Sequence, residues 1–140
     1  MKILLPVDGS EYTRRALAYV ATHEDVLGKG NEIIIFTVTP AIPSHAARFL
    51  DRATLDDHYR EEAENVLGPV CAFASEKGWN FRRAHGCGHA PEAIAAEAEK
   101  EAVDLIVMGT HGRSSLGNVV LGSVASGVLA RCQTPVLLIR

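Results

Sequence analysis

The sequence has little cysteine and no surplus of basic residues. Its three cysteines lie far apart and form no CxxC pair, which excludes a disulfide scaffold and is typical of a reducing compartment. It has 14 Lys and Arg against 17 Asp and Glu, a formal net charge of −3. A protein whose main partner is nucleic acid usually carries an excess of positive charge. We therefore expect no nucleic-acid partner.

Long hydrophobic runs are also missing. The longest apolar stretches are about six residues, far below the roughly 20 that a membrane helix needs, so we expect no membrane partner. The apolar run at residues 1–7 is too short for the core of a signal peptide with its flanks. These absences predict a soluble, cytoplasmic protein.

The composition that remains is that of an ordinary globular protein. The chain has 140 residues, of which 47% are hydrophobic and 22% are charged. That is enough apolar surface to form one hydrophobic core without disulfides or structural metal ions. The length predicts a single domain over residues 1–140.

Five short segments have the composition of β-strands. Four of them are apolar runs without alternation, at residues 3–7, 33–38, 105–108 and 136–139. Such runs are typical of strands buried on both faces of a parallel sheet. The fifth, at residues 79–85, alternates apolar and polar side chains, which predicts a strand with one wet side near an edge of the sheet.

Helical patterns fill the intervals between these strands. Ser10 can cap a helix to about Leu27, and Pro91 is well placed to begin another through Ala102. Between them a helical pattern over residues 55–74 is interrupted at Gly68-Pro69, which predicts a kink or break. A last helix is predicted over residues 124–132. The alternation of strands and helices predicts a doubly wound α/β fold with a parallel sheet.

The loops after the first and fourth strands carry the least ordinary chemistry. The first strand runs into Pro-Val-Asp-Gly-Ser at residues 6–10, and the fourth into Met-Gly-Thr-His-Gly-Arg-Ser-Ser at residues 108–115. Doubly wound sheets bind ligands beyond the carboxyl ends of their strands, where the strand order reverses. If these two strands are neighbours, both loops border one crevice.

The second of these loops is rich in glycine and serine. Its glycines are Gly109, Gly112, Gly117 and Gly122. Glycine lets backbone N–H groups converge on an anion, and a helix that begins near Ser123 would add its N-terminal N–H groups. Arg113 could add positive charge. The pattern favours phosphate binding, with a glycine-rich connection chosen for close strand–helix packing as the alternative.

Several nucleotide-binding and signalling classes are excluded. The sequence has no GxxxxGK[ST] and no GxGxxG after the first strand, so it is neither a P-loop NTPase nor a dinucleotide-binding Rossmann protein. A receiver domain clusters acidic residues at the first strand and has a lysine near the last strand. Here Asp8 stands alone and residues 135–140 contain no lysine.

The glycine spacing resembles that of a known family. Gly109-x-x-Gly112, nine residues, then Gly122-Ser123 fits the G-2x-G-9x-G-[S/T] nucleotide motif of the universal stress protein family. Residues 3–10, 104–112 and 134–139 are also similar to that family, in the right order along the whole chain. The resemblance implies a five-stranded parallel sheet of order 3-2-1-4-5, with helices on both faces.

The resemblance also implies a nucleotide site. Asp8, with the backbone around Pro6 and Val7, looks like the adenine contact, and Val38 is similar to the apolar residue against the base or ribose. The implied ribose and phosphate contacts are Met108, Gly109, Thr110, His111, Gly112, Arg113, Gly122, Ser123 and Val124. The implied ligand is ATP, or ADP or AMP, with or without Mg²⁺. Ala125 replaces a hydroxyl residue of some members, which leaves the preference between AMP and ATP open.

Three functional alternatives follow. The first is a dimeric stress-response or signalling regulator that binds ATP and acts on protein partners the sequence does not identify. The second is a slow ATPase that uses Asp8 and His111, and the third is an interaction module that no longer uses nucleotide. The apolar strand Val136–Ile139, at an edge in the implied order, predicts a homodimer. Residues 39–50 form either a lid over the site or a plain connection.

A possible metal cluster lies outside these loops. His85, Cys87 and His89 alternate along the chain and could converge on one ion, but a fourth ligand is not evident. The alternative is a glycine-rich turn, which we favour. Cys71 and Cys132 fall on apolar helical stripes and are predicted to be buried.

Overall fold

The computed structural model describes residues 1–113, 118 and 120–140. The strands are β1 (Lys2–Pro6), β2 (Glu32–Thr39), β3 (Phe81–Cys87), β4 (Leu105–Gly109) and β5 (Val136–Ile139). The helices are α1 (Glu11–Thr22), α2 (Ser44–Ala47), α3 (Arg52–Glu76), α4 (Ala90–Lys100) and α5 (Ser123–Arg131), and a π-helical turn (Glu24–Gly28) follows α1.

The five strands form one parallel sheet in the order β3-β2-β1-β4-β5. This confirms the α/β fold and the strand order that the resemblance implied. β1 lies at the centre, with Ile3 opposite Ile33 of β2 and Leu105 of β4. The carboxyl ends of β1 and β4 are therefore neighbours, as the crevice requires.

Helices cover both faces of the sheet. Residues of α1 and α3 pack on one face with Ile3 and Leu5, and residues of α4 and α5 pack on the other with Leu4 and Ile106. All four of these strand residues are at most 1% exposed. Burial on both faces explains why the central strands are apolar without alternation.

β3 has the alternating burial expected of an edge strand. It begins at Phe81, two residues later than predicted. The physical reason is that the Trp79 N–H already donates to the Ala74 carbonyl at the end of α3, and the Trp79 ring packs edge-to-face on Phe73.

α3 runs without a break through Gly68 and Pro69, so of the predicted kink or break the break is wrong. The buried stripe continues in phase across the proline, with Leu67 before it and Val70 after it. Pro69 itself is exposed. The packing of this stripe outweighs the one backbone hydrogen bond that proline removes.

α1 and α4 end earlier than predicted. α1 is capped by Ser10, whose Oγ accepts from the Thr13 N–H, but it ends at Thr22 and a π-helical turn carries Leu27 into the core. α4 ends at Lys100. Ala102 takes a left-handed φ of 49° there, and such a residue terminates a helix.

None of the helices in the described part of the chain combines the length and the apolar character needed to cross a membrane.

Candidate functional site

A cleft of about 450 Å³ opens at the carboxyl ends of β1, β2 and β4. It brings together twelve of the thirteen residues predicted for the site: Pro6, Val7, Asp8, Val38, Met108, Gly109, His111, Gly112, Arg113, Gly122, Ser123 and Val124. Ser114, Ser115 and Gly117, which belong to the same predicted loop, lie outside the described residues.

Thr110 is the thirteenth residue, and it does not line the cleft. It is buried, and its carbonyl accepts from the Gly122 N–H at 2.7 Å. Its Oγ1 lies 2.9 Å from Nδ1 of His111, and the His111 ring packs against Tyr12 with centroids 5.0 Å apart. Thr110 therefore lies beneath the lining of the cleft and stabilises it. The His111 ring is positioned by its contacts with Thr110 and Tyr12.

The Asp8 carboxylate joins the loop after β1 to the loop after β4. Oδ1 accepts from the Ser10 N–H and from the Thr13 hydroxyl, each at 2.9 Å. Oδ2 accepts from the Arg113 N–H at 3.2 Å. Gly9 makes the turn at a φ of +76°, which only glycine adopts at little cost. Asp8 is thus fixed by donors from both loops.

Two glycines let the second loop approach its surroundings closely. A Cβ on Gly112 would lie 2.6 Å from Oδ2 of Asp8. A Cβ on Gly122 would lie 2.9 Å from the Thr110 carbonyl oxygen and 3.1 Å from the His111 Cα. Because both neighbours of Gly122 are backbone atoms, they cannot turn aside as a side chain could. The walls of the cleft require glycine at these two positions.

One end of the cleft has the features of an anion site. α5 begins at the cleft with Gly122 as its N-cap and no side-chain capping bond. The first N–H groups of a helix have no partner within it and attract negative charge. Ser123 and Val124, the first two residues of α5, line the cleft. Among the described lining residues, Arg113 is the only Lys or Arg.

Much of the remaining lining of the cleft is apolar, and it includes Val7, Phe36, Val38, Ile94 and Met108. A concave apolar surface beside a few fixed polar groups is the usual setting for a planar organic group.

Sequence reasoning missed nine lining residues: Thr13, Phe36, Thr37, Thr39, Pro40, Glu62, Val66, Ala90 and Ile94. Ala125, which the resemblance placed beside the phosphates, also lines the cleft. A signal existed for Thr37 and Thr39, which are hydroxyl residues at the carboxyl end of an apolar strand. No local signal marks Glu62 and Val66, because only the packing of α3 brings them to the cleft.

The histidines and the exposed cysteine of the possible metal cluster lie apart from this cleft. His85 and Cys87 border a separate recess of about 350 Å³, while Nδ1 of His89 faces Glu92 at 3.6 Å. Within residues 1–113, 118 and 120–140, no three His, Cys, Asp or Glu side chains are grouped to hold a metal ion.

The other two cysteines differ in exposure. Cys71 is buried as predicted, and burial raises the pKa of its thiol. Cys132 is only half-buried, because it lies at the C-cap of α5.

Comparison with known proteins gives the family. The model of the universal stress protein family matches residues 1–140. The chain belongs to the universal stress protein family. The resemblance stated from the sequence is thereby confirmed.

Two relatives cover almost the whole chain. The universal stress protein MJ0577 of Methanocaldococcus jannaschii is 28% identical over 156 residues, which span 99% of this chain and 94% of the relative. A universal stress protein of Thermus aquaticus is 31% identical over 139 residues, with 99% and 97% covered.

Solved structures of universal stress proteins share the fold. The MJ0577 structure superposes with a TM-score of 0.83 at 31% identity, over 99% of this chain and 94% of that chain. A universal stress protein from Archaeoglobus fulgidus, solved in complex with dAMP, superposes with a TM-score of 0.67. It covers 100% of this chain and 98% of that chain at 20% identity, so that likeness is one of fold.

Proposed function

We propose that this universal stress protein binds an adenine nucleotide, ATP by preference, in the cleft at the carboxyl ends of β1, β2 and β4. The observation that carries the proposal is the convergence there of an apolar lining and the start of α5, which has no side-chain cap. A nucleotide needs both, because its base is apolar and planar and its phosphates are charged. The proposal makes the protein a cytoplasmic regulator of a stress response or of signalling.

The apolar part of the lining suits the base. Val7, Val38 and Met108 line the cleft at the ends of three neighbouring strands. We assign the base to these residues, with Asp8 as its polar contact as the family resemblance implies. The dAMP complex of the Archaeoglobus fulgidus protein gives one case in which the same fold carries an adenine nucleotide.

The start of α5 suits the phosphates. Gly112, Gly122, Ser123 and Val124 form the proposed cradle, and Arg113 supplies positive charge at its rim. Mg²⁺ would enter with the phosphates. The two carboxylates in the described lining, Asp8 and Glu62, are too few for a cation site built from protein alone.

The chemistry of the cleft supports binding more than hydrolysis. Efficient ATP hydrolysis needs a placed base or a positioned water. The Asp8 carboxylate already accepts three hydrogen bonds from Ser10, Thr13 and Arg113, so it serves the geometry of the loops. The proposed mechanism is a nucleotide-dependent change in the loops at residues 39–50 and 109–122, which alters the choice of partner.

The proposal includes a homodimer through β5. Val136, Leu137 and Leu138 are only half-buried within one chain, and β5 is an edge of the sheet. An apolar edge strand with unpaired backbone N–H and C=O groups tends to pair with a strand of another chain. A two-fold partner would cover it.

A thermal-shift series tests nucleotide binding. Protein stripped of co-purified ligand is heated with ATP, ADP, AMP or cyclic AMP, with and without Mg²⁺. At 100 times its dissociation constant a ligand adds about 2.7 kcal/mol, a rise of several degrees for a chain of this size. No rise with any of the four contradicts the proposal and favours an interaction module. Phosphate release that is lost in Asp8→Ala favours the slow ATPase.

Replacing Arg113 by glutamine is expected to weaken ATP binding more than AMP binding, because ATP places more charge near the start of α5. We expect about a fivefold to tenfold loss for ATP, larger at low salt, and less than about twofold for AMP. Calorimetric titration with each nucleotide measures both constants. Arg14→Gln removes the same charge from an exposed site on α1 and serves as the control. No loss for either nucleotide would place the phosphates away from Arg113, and an equal loss for both would assign Arg113 to the part they share rather than to the outer phosphates of ATP.

A further inference from the structure

One side chain in the cleft acts on Asp8 rather than facing outward. Thr13 is 5% exposed. Its hydroxyl donates to Oδ1 of Asp8 at 2.9 Å and accepts from the Asp8 N–H at 3.0 Å. With its one proton donated, this hydroxyl has no hydrogen to offer a ligand. Both of its described hydrogen bonds are made to Asp8, so Asp8 is the residue that Thr13 holds most directly.

The arrangement is a variant of a helix capping box. In the usual box, the residue three positions after the N-cap reaches back to the N-cap N–H. Here Ser10 is the N-cap, but its N–H donates to Oδ1 of Asp8, and Thr13, three positions on, holds that carboxylate instead. The start of α1 and the orientation of the Asp8 carboxylate are thus set by the same hydrogen bonds.

These bonds give the two oxygens of Asp8 different surroundings. Oδ1 has two donors, both from the start of α1. Oδ2 has one described donor, the Arg113 N–H at 3.2 Å, and lies within 2.6 Å of where a Gly112 Cβ would be. Oδ2 is therefore the oxygen that faces the second loop and can accept a further hydrogen bond.

We propose that Thr13 is a positioning residue for the nucleotide, holding the Asp8 carboxylate so that Oδ2 faces the cleft and the Gly112–Arg113 backbone. The inference deepens the proposed function and rests on it for the identity of the ligand. It extends the set of functional residues to a side chain that acts on the ligand through Asp8. It also links the polar contact for the base to the first residues of the phosphate loop.

Thr13→Val tests the role because valine keeps the shape and removes the hydroxyl. We expect the ATP dissociation constant to rise about tenfold, the effect of one lost hydrogen bond to a charged group. Thr13→Ser restores the hydroxyl and is expected to bind within about twofold of the native protein. Thr22→Val makes the same change at the exposed end of α1, where the hydroxyl bonds to the Ala18 and Tyr19 carbonyls and to His23, and is the matched control.

A double-mutant cycle separates positioning from plain stability. If Thr13 acts through Asp8, Thr13→Val in an Asp8→Ala background lowers ATP affinity by less than about twofold. The same tenfold loss in both backgrounds would mean that Thr13 only supports the fold, and would overturn the inference. An unchanged ATP affinity in Thr13→Val alone would overturn it too.

A measurement without nucleotide tests whether Thr13 positions Asp8 independently of whether the protein binds ATP. In ¹H–¹⁵N spectra of the ligand-free protein, the Ser10 and Arg113 amides, both bonded to Asp8, are expected to move in Thr13→Val and in Asp8→Asn but to stay in place in Thr13→Ser and Thr22→Val. Unmoved amides in Thr13→Val refute the positioning role whatever the ligand. If these amides move but the native protein binds no ATP, the proposed function fails and the inference fails with it as a nucleotide-positioning role.

Discussion

Replacing Gly122 by alanine is expected to remove most of the nucleotide affinity. The new Cβ would lie 2.9 Å from the Thr110 carbonyl oxygen and 3.1 Å from the His111 Cα, so the start of α5 must shift away from β4. The shift displaces the N–H groups of Ser123 and Val124 from the phosphates. We expect a loss of about 2 kcal/mol or more, roughly thirtyfold in the dissociation constant.

Gly68→Ala is the matched control for this variant. Gly68 lies within α3, and among the described residues outside the helix backbone its Cβ would meet the carboxylate tip of Glu64, at 3.1 Å, which is the far end of a flexible side chain. Calorimetric titration with ATP should therefore show native affinity for Gly68→Ala and weak binding for Gly122→Ala. Native affinity in a folded Gly122→Ala protein would show that the start of α5 does not contact the nucleotide.

Replacing Leu138 by glutamate is expected to convert the proposed dimer to monomers. A two-fold interface contains each substituted position twice, so two carboxylates would enter one apolar seam without partners. The cost of burying unpaired charge is several kcal/mol, and we expect the dimer dissociation constant to rise at least about a hundredfold. Sedimentation equilibrium of both proteins measures the change.

Val26→Glu controls for added charge on an apolar surface residue. Val26 is 63% exposed and lies in the π-helical turn, away from β5. It should leave the dimer intact. A Leu138→Glu protein that stays dimeric with native thermal stability would show that the interface lies elsewhere.

Most of the fold could be predicted because burial on both faces leaves a strong mark on a strand. Residues 33–36 of β2 are apolar at every position and at most 2% exposed, and a short run of this kind rich in β-branched residues is typical of a strand buried on both faces. The strand order was harder to predict, because the composition of a strand does not indicate which other strands it pairs with. It came from the resemblance, and the structure and the family both confirm it.

The errors arose where packing outweighed a local preference. Pro69 predicted a break, but α3 continues because its buried stripe keeps its phase and the proline is exposed. Trp79 looked like a strand residue, but its N–H is taken by the end of α3.

The loop residues of the candidate site could be predicted from the sequence, but the residues that α3 contributes to the cleft could not. The glycines and Asp8 stand in two short segments that a parallel sheet must bring together. Thr110 belongs to the same segment, yet its side chain is buried behind the cleft. Glu62 and Val66 come from the middle of α3, so their place depends on how that helix packs across the sheet.

The most direct test of nucleotide binding in this cleft is ¹H–¹⁵N mapping of the native protein, stripped of ligand, as ATP is added. We expect the amides that shift to cluster along the cleft, at Val7, Asp8, Val38, Gly122 and Val124. Shifts confined to another surface, such as the recess beside Arg60 and Cys87, would contradict the assignment of the cleft. No shifts at millimolar ATP would contradict nucleotide binding itself.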